Sequence, residues 1–161
     1  MSAIGTYEVL NRSHFERCLE AARNIRTETT GTWLFKTTTT IGVPEFMQAW
    51  QAAVQKKVVF DYSGYVLGNY VDAQLTVNQR LLVDEQSEVA RILAKAFTAA
   101  FVFERAMPLP ELPDGPLRAY CNDEYGEEGP ELLEPIRAAH AFFQRGLADI
   151  THESLVVFVI G

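Results

Sequence analysis

The sequence predicts an α+β domain: a small mixed β-sheet with its C-terminal strand central, covered by four or more helices. Three observations point there. Leu155 to Ile160 is apolar at every position, the pattern of a strand covered on both faces. Several longer segments repeat apolar residues at three- and four-residue steps, the helical period. No repeat, low-complexity tract or dividing linker interrupts the 161 residues, so residues 1–161 form a single globular domain in this reading. A chain of that length buries roughly 70% of its unfolded surface. With 48% apolar and 22% charged residues, it should fold without disulfide, metal or partner.

Ile4 to Leu10 alternates loosely and reads as a strand. A helix then starts at Asn11 or Ser13, where Ser13 to Glu16 fits a capping box, and Phe15, Cys18, Leu19, Ala22 and Ile25 form its core stripe. Thr27 to Gly31 has turn composition, and Thr32 to Thr40, rich in β-branched and aromatic residues, reads as a strand. Pro44 opens a second helix, with Phe46, Ala49, Trp50, Ala53 and Val54 facing inward and Lys56-Lys57 at its end.

Val58 to Phe60 is a short apolar strand. After a loop or strand end through Gly64, Leu67, Tyr70, Val71, Gln74 and Leu75 keep helical spacing. Val89, Ile92, Leu93, Ala96, Phe97, Ala100 and Phe101 predict a buried helix from Ser87 or Glu88 to about Phe103. Pro108, Pro110, Pro113 and Pro116 predict a surface loop, followed by a short helix within Leu117 to Tyr125. Pro130 opens the last helix, lined by Leu132 or Leu133, Ile136, Ala139, Phe143 and Leu147 and stopping near Asp149.

The net charge of −7 is concentrated. Glu111, Asp114, Asp123, Glu124, Glu127, Glu128, Glu131 and Glu134 face one base, Arg118, within a single segment, which accounts for the whole excess. Phosphate backbones are bound by clustered Lys and Arg, and none cluster here, so nucleic acid and anionic membrane are not expected partners. The first residues lack a basic region followed by an apolar one, and the longest apolar run is too short to span a bilayer. Cys18 and Cys121 are far apart and expected to be reduced, which makes cytoplasm the expected location.

No metal or cofactor is expected. His14, His140 and His152 show no ligand spacing and read as surface or helix-end histidines. Cys121 sits among acids, which oppose a thiolate. Glycine spacing matches neither the dinucleotide nor the phosphate-loop pattern, and no Gly-x-Ser-x-Gly occurs. The reading leans away from an enzyme, although paired carboxylates in acid/base roles stay open.

Two segments stand out as candidate sites. Asp61, Tyr62, Tyr65, Asn69, Tyr70 and Asp72 follow a buried strand, and tyrosines offer flat contact area with a polar tip, which suits a small ligand. Asp123, Glu124, Glu127 and Glu128 suit a basic protein partner, because opposed charge steers association.

The chain ends resemble a known bacterial family. Met1-Ser2-Ala3-Ile4-Gly5-Thr6-Tyr7 and its Phe/Leu-striped helix, with Phe142-Phe143-Gln144-Arg145-Gly146 and the closing Leu155 to Gly161, are similar to the YfbM-like family. That family's central Asp-x-Asp-Lys-x-Trp segment has no counterpart here. The resemblance implies a compact bacterial α+β domain and carries over no functional residue. The leading expectation is a cytosolic binding or interaction protein, with an immunity-type inhibitor acting through residues 111–134 as its concrete form. The alternatives are a small-molecule-binding domain or enzyme using residues 61–72, and a structural subunit of an oligomer.

Overall fold

The computed structural model describes residues 3–161; Met1 and Ser2, which carry part of the chain-end resemblance, lie outside the described residues. Strands β1 (Ile4–Asn11), β4 (Val54–Ser63), β5 (Ala99–Phe103) and β6 (Ser154–Ile160) form one sheet in the order β4-β1-β6-β5. All seven residues of β6 are buried. Its alternate side chains serve two cores. Val156, Phe158 and Ile160 meet α3 (Tyr65–Asn78), α5 (Asp114–Tyr125) and α6 (Gly129–Ala148). Leu155, Val157 and Val159 meet α1 (Arg12–Arg23), α2 (Val43–Ala53) and α4 (Glu88–Leu93). The all-apolar run therefore reports cover on both faces, as expected, and the fold is α+β with the C-terminal strand interior.

The sheet is antiparallel throughout rather than mixed. An apolar run reveals how a strand is covered and is silent on the direction of its neighbours. Phe143 of α6 stacks on Phe158 at 3.9 Å and 5°. Gly146 allows this approach: a Cβ there would lie 2.5 Å from the Phe158 ring.

Helix α1 is capped by Asn11, whose side-chain oxygen accepts from the Ser13 N–H at 2.9 Å, so the cap is Asn11 and not the Ser13 box. Helix α2 stops at Ala53, and Lys56 and Lys57 belong to β4. Lysines suit an edge strand because their charge discourages further pairing. They point to opposite faces: Lys56 meets Asp149 at 2.8 Å and Lys57 meets Glu8 at 3.4 Å.

Two further expectations differ from the structure. The long helix of residues 88–103 is α4 followed by a turn and then β5. The apolar residues of that segment satisfy both periods, and pairing with β6 (Phe101 opposite Phe158) completes the interior strand's second hydrogen-bonded edge. Thr27 to Gly31 is likewise no turn but part of β2 (Arg26–Thr32), which pairs with β3 (Phe35–Ile41) as a separate two-stranded ribbon. Threonine serves turns and strands alike, and cross-strand pairing decides between them. No helix among the described residues is long and apolar enough to cross a membrane.

Candidate functional site

The β2–β3 ribbon forms an arm. Its strands leave the body beside the buried Ile25 and return at Gly42, whose φ of 94° and close approach to the Asn24 and Ile25 backbone suit glycine alone. Every residue of β3 is exposed, as is every residue of β2 except Glu28. The stem carries threonine on both faces, so both remain hydrated. Thr32 pairs with Phe35, leaving Trp33-Leu34 as the loop. Gly31, at φ 111°, turns the backbone where a Cβ would strike the Phe35 carbonyl.

The tip is apolar and bare. Trp33 is 84% exposed, Leu34 62% and Phe35 79%. At those exposures the two rings alone offer roughly 250–400 Å² of apolar surface. That matches the largest patch of a typical monomer, and such patches are often functional. An isolated two-stranded hairpin is marginal in water, so it is a costly place to carry three large apolar side chains unless they meet something.

The segments singled out from the sequence are placed differently. Tyr70 lies wholly in the core, whereas Tyr62 and Tyr65 are exposed and Asp61 and Asp72 face solvent. Asn69 is half-buried. Tyr62 and Tyr70 have different surroundings: the Tyr62 hydroxyl donates to Glu134 at 3.3 Å, while Tyr70 contacts Nδ1 of His140 at 2.8 Å. Asp123, Glu124, Glu127 and Glu128 are exposed at the end of α5 and in the single 3₁₀ turn Gly126–Glu128. Elsewhere in the acidic segment, Asp114 pairs with Arg118 at 2.7 Å and also with Arg137, and so is locally neutralised.

His140 departs from the surface reading. Its side chain is 13% exposed, Nε2 is shielded from solvent with no partner among the described residues, and Glu111 lies 3.8 Å away. Gln74 donates to the Pro110 carbonyl at 2.6 Å and to the Tyr70 hydroxyl at 3.1 Å, and Asn78 donates to the Glu111 carbonyl at 2.8 Å. This network ties the Pro-rich loop to α3. Burial raises the Tyr70 hydroxyl well above its ordinary range. Burial likewise lifts the Cys18 thiol to about 11 and raises that of Cys121, so both are poor nucleophiles at neutral pH. No group of three or more His, Cys, Asp or Glu residues converges as a metal site among the described residues.

A cleft lies between α2 and the β4–β1 edge of the sheet. Its volume is about 370 Å³, and Met47, Trp50, Phe97 and Val159 form its apolar wall. Glu8, only 4% exposed, is its polar floor. Trp50 Nε1 donates to Glu8 Oε2 at 2.5 Å, and Thr6 donates to Oε1 at 3.2 Å. Lys57 sits opposite Glu8 in the β1–β4 register. Reading the sequence overlooked both Glu8 and the arm tip. The signals were there: an acid between Tyr7 and Val9 on an inward strand, and Trp-Leu-Phe among eight threonines and few other apolar residues.

Compared with protein-family models, curated proteins and solved structures, the chain matches none.

Proposed function

We propose that this chain is a non-enzymatic protein-binding protein of the cytoplasm that engages its partner through the tip of the β2–β3 arm. The observation that carries this reading is the bare Trp33-Leu34-Phe35 tip on a stem whose polar faces hold it clear of the body. Tryptophan and other large aromatics dominate binding hot spots because they bury much area at little entropic cost. The partner is a protein with an apolar recess for the tip. Exposed Asp123, Glu124, Glu127 and Glu128 favour a basic partner by steering the encounter, as an immunity-type inhibitor would require. Kinship with the YfbM-like family belongs to this proposal and rests on the chain-end residues.

Affinity capture from the native host tests it, with wild type compared to a Trp33→Ser/Leu34→Ser/Phe35→Ser variant. A partner held by wild type and lost by the variant is the expected result, and replacing the four acids with amides should slow its association more at low salt than at high. A partner held equally by both proteins overturns the role of the arm.

A further inference from the structure

We propose that the cleft between α2 and the β4–β1 edge binds a small α-amino carboxylate with an apolar side chain, a role separate from that of the arm. At about 370 Å³ it falls in the lower part of the usual range of small-ligand sites. Its two walls differ in the manner of such sites: Met47, Trp50, Phe97 and Val159 on one side, Glu8 and Lys57 on the other.

Unused hydrogen-bonding capacity selects the ligand class. A carboxylate has about four acceptor positions; Glu8 fills two of them, accepting from Thr6 and Trp50, and forms an ion pair with Lys57 at 3.4 Å. An ammonium has three donors, and the 3.4 Å approach of Lys57 to Glu8 is an ion pair that leaves them available to a ligand. The site therefore offers buried acceptor positions on Glu8 beside the donors of Lys57. An α-ammonium placed at Glu8 and its neighbouring carboxylate at Lys57 complement both, leaving the side chain to the apolar wall. A ligand bearing only one of these charges would leave part of the pair unmatched. Glu8 is held rigidly by Trp50, itself wedged against Phe97 with ring centroids 5.0 Å apart, so the acceptor is preorganised.

The chain holds two tryptophans, so Trp33→Phe leaves Trp50 as sole reporter at the cleft wall. Titration of that full-length variant with L-phenylalanine should change Trp50 emission saturably. Phenethylamine, lacking the carboxylate, and 3-phenylpropionate, lacking the ammonium, should each bind about ten-fold more weakly or worse, the worth of one charge-assisted hydrogen bond. Glu8→Gln should weaken L-phenylalanine by a similar factor. Lys57→Met should give the same loss, at a half-exposed position on the edge strand, with the urea midpoint measured alongside to confirm that the variant is folded. Absence of saturation up to about 10 mM would overturn the proposal. So would equal binding of all three probes, or L-phenylalanine binding untouched by Lys57→Met.

Discussion

The two β-sheets of this chain reach the same secondary structure by opposite routes. In β6 no residue is exposed, and aromatic rings close over it: Phe158 contacts Phe142 and Phe143 of α6 and Phe103 of β5 within 3.9–5.9 Å. In β3 no residue is buried, and the strand is held by register with β2 and by threonine pairs such as Thr29 and Thr38, 3.5 Å apart. Burial stabilises the first; cross-strand pairing and a two-residue turn sustain the second, with contributions of only tenths of a kcal/mol per pair. A sheet of the second kind adds little to global stability, so side chains are free to be chosen for what they touch outside the molecule.

The largest effect should come from the stacked core. Phe158→Ala is expected to cost about 3–5 kcal/mol, read as a lower urea midpoint at unchanged slope. Gly146→Ala comes next, because its new Cβ collides with the same ring, at about 1–3 kcal/mol. Retention of the wild-type midpoint by either variant would break the distinction between the two sheets.

Alkaline titration sharpens it further. Burial raises the hydroxyls of Tyr70 and Tyr120, the latter with help from its contact to Tyr125. A phenol that ionises near pH 10 when unfolded and higher when folded adds stability fully present below pH 10 and lost as pH rises above it. Absorbance at 295 nm from these two tyrosines should therefore appear together with loss of the far-ultraviolet signal. The arm contains no tyrosine and cannot contribute.

The smallest effect is expected at the arm tip. Trp33→Ser combined with Phe35→Ser should change stability by less than about 0.5 kcal/mol, as exposed positions usually do, while abolishing partner capture. A loss as large as that of Phe158→Ala would show that the arm packs as part of the cooperative core.

Much of the architecture was legible where one period of apolar residues had a single solution. The stripes of α1, α2 and α6, the burial of β6, and helix α3 despite Gly68 within it follow from spacing alone. Residues 88–103 were misread because Ala99 to Phe103 satisfies both helical spacing and the two faces of a doubly covered strand. The site was less legible than the fold. Tyr62, Tyr65 and Tyr70 are neighbours in sequence, yet a strand end followed by a helix sends them to different surroundings. Glu8 and Lys57 are 49 positions apart and meet only through strand register.

By itself, then, the sequence determined the helical stripes of α1, α2, α3 and α6, the double cover of β6, where the excess negative charge lies, and that most of Thr32 to Thr40 would be extended. These are properties of near neighbours, set by side-chain periodicity and backbone preference. Only tertiary structure decided that β5 would be a strand, that His140 would be enclosed, that Glu8 would floor a cleft, and that Trp33, Leu34 and Phe35 would find no core to enter. Each of those outcomes depends on what another part of the chain places opposite, and local composition holds no record of it.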